Sequence, residues 1–352
     1  MSAIVNITIF NKRLSKITFR CMHRHYDITV ALSVYNVEPY LADAIDCILS
    51  QSFTDFELLC IDDASTDTTY DILKRYSLQD DRIRVIRQDV NKGLSVSRNL
   101  AIAEAQGEYL LMLDGDDLFA KDMLEVAYTK AKETDADMVL WDYIAFYDEK
   151  EISTKSSKPS SLLTLDPKDK LRLLQRPSFS PTRMTKVSVL RELGIHFPEG
   201  MTKQDIPVHW KLITAIDKIQ LIPEYFLFYR QQPNNTSSQK GKSVMSLAYV
   251  MDITKKQLLD DGLYDVYKDE FLRSRLSLLQ GMYDYIHPDY KTEALELIKE
   301  RVGVDELSYI TSPNSCLTPR TRLFYGWLAG KTWASIKYNV FIAVRKLYRK
   351  LR

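Results

Sequence analysis

From Tyr26 onward the chain alternates short apolar runs with helical patterns, and completes that alternation four times within fewer than 90 residues. Such βα repetition buries its apolar faces in a mostly parallel sheet covered by helices. Ile28 to Ser33, Phe56 to Ile61, Ile83 to Ile86 and Tyr109 to Leu113 read as strands. Pro39 introduces a first helix with the stripe Leu41, Ile45, Ile48, Leu49. Asp67 or Thr68 can cap a second, in which Tyr70, Ile72, Leu73 and Tyr76 recur at helical intervals. A third spans Ser95 to Ala105 and stops at Gly107.

Past Leu113, Met123 to Thr134 reads as helix, Asp137 to Ile144 as extended, and the polar stretch Ser153 to Ser161 as a loop or lid. A helix around Val208 to Ala215 and an extended segment from Ile219 to Arg230 close the body. Beyond Gln231 the patterns turn helical, over Ser246 to Asp260, Tyr264 to Tyr285 and Lys291 to Val302. The expected architecture is α/β: a Rossmann-like, mostly parallel sheet sandwiched by helices, with a C-terminal helical appendage. The boundaries follow as a basic extension over 1–25, an α/β body over 26–230, a helical region over 231–317 and a basic aromatic tail over 318–352.

The formal net charge of +1 conceals an uneven distribution. Residues 1 to 26 hold five Lys or Arg and no acid, and residues 307 to 352 hold nine and no acid. Of the 48 Lys and Arg, 34 remain between them against all 47 acids, so an acidic body has two basic ends. Cys21, Cys47, Cys60 and Cys316 lack both metal-ligand spacing and the density of a disulfide framework, which fits free thiols in a reducing compartment. No run of 18 apolar residues is present, so no spanning helix is predicted. The first 26 residues fit either a basic targeting peptide or a start at Met22.

In an open α/β sheet, the loops leaving the carboxyl ends of the strands converge on one crevice. Asp62, Asp63, Ser65 and Asp67 leave the second strand, and Asp114, Asp116 and Asp117 leave the fourth, so both acidic sets face that crevice. Magnesium and manganese take one or two carboxylates plus substrate phosphates, and Asp-x-Asp offers two such groups to one ion. One Asp-Gly-Asp-Asp loop alone is as readily a turn. Two acidic clusters at two strand ends make a binding site the better reading.

The run ALSVYNVEPYLADAIDCILSQSFTDFELLCIDDASTD, then IRVIRQDVNKGLSVSRNLAIAEAQGEYLLMLDGDD, resembles the family 2 glycosyltransferases with the GT-A fold. The resemblance covers about Tyr26 to Asp148, weakens towards Arg230 and is absent beyond. It implies a hexosyltransferase-like, inverting enzyme that uses a nucleotide-diphosphate sugar, a UDP-sugar first, and Mn2+ or Mg2+. Carried over by motif, Val34, Tyr35, Asn36 and Glu38 match the nucleotide pocket, with Asp63 near the base and Asp62 as its neighbour. Arg98 and Asn99 match a donor-side pair, Asp114 and Asp116 the metal-binding DXD with Asp117 beside them, and Arg230 a residue near the diphosphate. The general base matches Asp205 in KQDIPVHW, where capping the following helix is the plainer role. Departures from the pattern are Ser33 for Pro, Ala64 for Gly and Gln204 for Glu.

Basic residues interleaved with aromatic ones from Thr318 to Arg352 suit an interfacial helix on an anionic membrane, or a helix docked on the acidic body. The membrane reading places the protein in the cytoplasm, peripheral on the inner face of the plasma membrane, acting on a glycan or polyprenyl-linked acceptor in surface-polysaccharide assembly. A catalytically degenerate, membrane-associated scaffold is the alternative. A sugar-1-phosphate nucleotidyltransferase would need a Gly-rich phosphate loop that VALSVYNVEPYL lacks. An acidic crevice argues against nucleic acid.

Overall fold

The computed structural model describes residues 26–232, 240–331 and 337–339. The basic extension over 1–25, most of the loop after Arg230, and much of the tail lie outside the described residues.

Eight strands form one sheet: β1 (Tyr26–Val34), β2 (Phe56–Asp62), β3 (Ile83–Arg87), β4 (Gly107–Asp114), β5 (Leu118–Phe119), β6 (Met138–Phe146), β7 (Arg183–Lys186) and β8 (Ile219–Arg230). Their order is β3-β2-β1-β4-β7-β6-β8-β5. The first four are parallel, β7 runs antiparallel to both β4 and β6, and β6 and β8 are parallel. The mostly parallel, helix-covered sheet expected from the alternation is therefore present. The chain reverses its direction of travel across the sheet between β3 and β4, and ligands of open α/β sheets bind at such a switch point.

Four helices alternate with the first strands: α1 (Glu38–Leu49), α2 (Thr69–Ser77), α3 (Leu94–Glu104) and α4 (Met123–Thr134). Short helices α5 (Lys150–Ser156), α6 (Lys170–Leu174) and α7 (Val187–Glu192) precede α8 (Asp205–Ala215). The C-terminal helices are α9 (Ser246–Asp260), α10 (Tyr264–Tyr285), α11 (Lys291–Arg301), α12 (Val304–Thr311) and α13 (Pro319–Leu328).

The even and odd residues of the central strands feed two cores. Ile28, Val30 and Leu32 of β1 pack with Leu41, Ile45 and Ile48 of α1 on one face. On the other, Ala31, Leu59 and Ile61 share one continuous cluster with Ala101 of α3, Trp210 and Ile213 of α8, and Phe271, Leu276 and Phe324 from the C-terminal helices. The helical region thus completes the core of that sheet face.

One sequence expectation needs correction, and for the start of the tail the docked alternative is the one observed. Ser153 to Ser161 is neither loop nor lid throughout: α5 covers its first half. Its end is pinned where Ser160 Oγ, Ser161 N and Ser161 Oγ all donate to Asp142 Oδ2, at 2.7, 2.9 and 2.8 Å. In the tail, Phe324 and Tyr325 of α13 are buried, and Tyr325 donates to the Leu276 carbonyl of α10 at 3.0 Å. These rings serve the core and are not available to a membrane.

Candidate active site

The sheet register assembles the site. Val34 at the end of β1 lies opposite Asp62 of β2, and Ser33 opposite Asp114 of β4, so the two acidic strand ends flank one strand terminus. The loops after β1 and β2 are then stitched together. Asn36 N donates to Ser65 Oγ at 3.0 Å, Thr66 N to Asn36 Oδ1 at 2.8 Å and Val37 N to Thr69 Oγ1 at 3.0 Å. Glu38 adds two more links: its N donates to Asp67 Oδ2 and its Oε2 accepts from Thr68 N, both at 3.2 Å. Asn36 and Ala64 both hold left-handed backbone, with φ of 51° and 59°. Glycine adopts that region without strain, which accounts for the glycine of the pattern that Ala64 replaces.

Asp62 is fully buried, accepts from Ser65 N at 3.2 Å and lies 3.3 Å from Arg87 Nε. Asp63 accepts from Gln88 Nε2 at 2.7 Å, from Lys92 N at 2.8 Å and from Gly93 N at 2.7 Å. Asp63 thus orders the loop that opens α3, while Asp62 holds the turn that follows β2. Tyr35 is the exposed ring of the pocket, at 46%.

The DGDD loop turns tightly beneath this wall. A Cβ on Gly115 would sit 2.6 Å from Val34 Cγ1 and 3.3 Å from Val37 Cγ2, so only glycine lets β4 approach β1 here. Burial, then the neighbouring Asp114 carboxylate, pushes Asp116 up to about 6. Burial, followed by Asp116 and Asp114, raises Asp117 well above the usual carboxylate range. Burial likewise raises Asp114, opposed by Arg98. Arg230 offsets part of this crowding: its N donates to Asp117 Oδ1 at 2.9 Å and its Nε to the Asp116 carbonyl at 3.0 Å. The guanidinium lies over Tyr40 and Phe146, 5.1 and 5.0 Å from their centroids. Gln232 Nε2 donates to Asp116 Oδ2 at 3.1 Å.

No three His, Cys, Asp or Glu side chains form a ready-made cation cage among the described residues. The loop nevertheless fits a divalent ion. Asp117 Oδ2 is buried without a hydrogen-bond donor among the described residues, and crowding disfavours the ionised carboxylates that a cation would stabilise. Magnesium and manganese sites of this type are completed by substrate phosphates.

Arg98, on the second turn of α3 and only 3% exposed, joins this cluster to the far wall. Its Nη2 donates to Asp114 Oδ1 at 3.2 Å and its Nη1 to Asp205 Oδ1 at 2.6 Å. Burial disfavours the guanidinium charge, but Asp205 and Asp114 outweigh that and hold it protonated. Asp205 is the first residue of α8, three residues ahead of the helix start read from sequence. Pro207 is compatible with that first turn.

Most of the candidate residues therefore meet at one rim. Asn99 is differently engaged: its Nδ2 donates to the Phe197 carbonyl at 3.0 Å while its Oδ1 accepts from Phe197 N at 2.7 Å, fastening α3 to the segment before α8. Residues that no motif singled out also take part. Gln88 supports Asp63, Gln232 supports Asp116, and Ser180 donates to Asp205 Oδ1. Gln232 stands two residues beyond Arg230, while Ser180 carries no sequence signal.

Residues 29–194 match the family model described as Glycosyl transferase family 2. They form a family 2 glycosyltransferase domain. GlyG, a glycosyltransferase of Streptococcus pneumoniae serotype 4, is 36% identical to the chain over 124 residues, 35% of this chain and 41% of that relative. The chain thus spans well under half the length of that relative. TarS residues 1–349 of S. aureus, solved with UDP-GlcNAc, superimposes with a TM-score of 0.71 at 19% identity, over 93% of this chain and 92% of that one. The mannosyltransferase PcManGT of Pyrobaculum calidifontis, solved with GDP-Man and Mn2+, gives a TM-score of 0.50 at 16% identity, over 90% and 87% of the two chains. The glycosyltransferase domain found by sequence thus sits on a glycosyltransferase fold that continues into the C-terminal helices.

Proposed function

We propose that the protein transfers a sugar from a nucleotide-diphosphate sugar, a UDP-sugar first, to a hydroxyl of a glycan or lipid-linked acceptor, with inversion at the anomeric carbon. The observation that carries this reading is the Asp114, Arg98, Asp205 bridge, which joins the DXD loop to an isolated carboxylate across the crevice. An inverting transfer needs those two functions on opposite sides of one sugar carbon. The UDP-GlcNAc of TarS and the GDP-Man and Mn2+ of PcManGT support the donor class and the metal.

Asp116 and Asp117, with Asp114 beside them, would hold Mn2+ or Mg2+, which when bound neutralises charge on the departing nucleoside diphosphate. Arg230 adds a fixed positive charge at the same rim. Tyr35 and Asn36 would border the nucleoside with Asp63 behind them. Asp205, partly open to solvent at 19%, would accept the proton of the attacking hydroxyl. Arg98 fixes the distance between the two halves. The described residues contain no helix long and apolar enough to cross a membrane. Peripheral contact with the cytoplasmic face of the plasma membrane is proposed through Arg345, Lys346, Arg349, Lys350 and Arg352, which lie outside the described residues.

Thermal shift with UDP, GDP and dTDP sugars, with and without Mn2+, tests donor and metal together. Metal-dependent stabilisation by one nucleotide class is expected, and no response to any would defeat the reading. Asp116→Ala and Asp205→Asn should each lower turnover by roughly two to three orders of magnitude with the fold intact.

A further inference from the structure

Asp205 receives both of its hydrogen bonds on one oxygen. Arg98 Nη1 reaches Oδ1 at 2.6 Å, and Ser180 Oγ donates to the same atom. Oδ2 accepts no hydrogen bond among the described residues. A carboxylate held in this way has one oxygen neutralised by donors and one left basic, so its proton-accepting lone pairs have a fixed direction.

Ser180 opens the single turn Ser180–Thr182 that leads into β7, and is 4% exposed. That turn is held from beneath by Arg183, 6% exposed, whose Nη2 donates to the Phe179 carbonyl at 3.2 Å. Burying an arginine is costly without compensation, and Asp205 supplies the favourable charge opposing the burial that lowers Arg183 to about 10. Ser180 and Arg183 thus approach the carboxylate from the sheet, while Arg98 approaches it from α3.

We infer that Ser180 is a positioning residue for Asp205, clamping Oδ1 together with Arg98 so that Oδ2 is the oxygen that takes the acceptor proton. The inference rests on Asp205 being the general base. In the proton transfer the acceptor O–H bond breaks, Oδ2 gains the proton, and the acceptor oxygen bonds to the anomeric carbon as the nucleoside diphosphate leaves with the electron pair. Ser180 keeps its own proton throughout.

A cavity of about 20 Å³, lined by Ser180, Arg183, Leu110, Met112, Phe197 and Val208 among others, lies beside the Ser180 side chain. It offers room for the extra methyl of Ser180→Thr, which keeps the hydroxyl. The test measures donor turnover with Mn2+ on the common UDP-sugars, water serving as acceptor, for the full chain and its variants. Ser180→Ala should lower kcat by about tenfold to a hundredfold, the scale of a misplaced catalytic group, with donor KM changed less than about twofold. Ser180→Thr should recover most of the rate. Full kcat in Ser180→Ala, kcat and KM changing together, or no recovery with threonine would overturn the inference. If Ser180→Ala fails to fold, Ser180→Cys, of similar volume and weaker as a donor, is judged by the same kcat-against-KM split. Should Asp205→Asn retain full rate, the base assignment itself fails; an inactive Asp205→Asn beside a fully active Ser180→Ala removes Ser180 alone.

Discussion

His209 and Asp116 titrate with opposite consequences. His209 is buried on α8, donating Nε2 to the Leu173 carbonyl at 3.1 Å, and burial followed by Arg183 lowers it to about 3. The unfolded chain, with an ordinary histidine near 6.5, binds the proton first as pH falls. Stability is therefore complete above about pH 6.5 and declines towards pH 3 by up to about 1.4 kcal/mol per pH unit. Urea denaturation between pH 6.5 and 4.5 should show that slope, and His209→Gln, which keeps a donor, should flatten it. Asp116 works the other way, since its value of about 6 lies above the ordinary carboxylate range and the metal-free fold takes up the proton first. Protons should compete with Mn2+ below about pH 6, an effect that calorimetry would find reduced in Asp116→Asn. At Gly115, alanine places a Cβ 2.6 Å from Val34 Cγ1 and should cost roughly 1–3 kcal/mol with weakened nucleotide binding, measurable by denaturation and by titration. At this scale the acidic motifs were legible because their residue types and spacing carry the chemistry. Ser180 was not, because a lone serine acquires its role only from what folding sets beside it.

The first four βα units could be read to within two residues at each strand end, since buried apolar runs and period-3.6 patterns alternate there without interruption. Strand β7 escaped notice: Arg183–Lys186 has four residues, no apolar alternation, and exists because β4 and β6 offer backbone partners on both sides. Helix α8 was found but begun three residues late, because Pro207 interrupts the helical pattern ahead of Val208. Its far face packs against α10, where Trp210 and Phe271 meet edge to face with centroids 5.8 Å apart. Phe271→Ala should cost about 3–5 kcal/mol in equilibrium unfolding. Because α8 carries Asp205, kcat should also fall in that variant while Mn2+ binding at the β4 loop is retained.

For the whole molecule, charge segregation and the change to helical patterning after Gln231 were visible in the sequence, but the shared core was not. Periodicity reports which face of a helix is apolar and leaves its partner unnamed. The continuous cluster from Ala31 through Trp210 to Phe324 answers that question. In evolutionary and engineering terms, the C-terminal helices are a foundation and not a passenger. A chimera that exchanges acceptor specificity by grafting another terminus after β8 would also reset the tilt of α8, and with it the proton acceptor at its tip. New specificities in such a scaffold should therefore arise by changing the loops around the crevice, with α8 and its helical backing inherited as one piece.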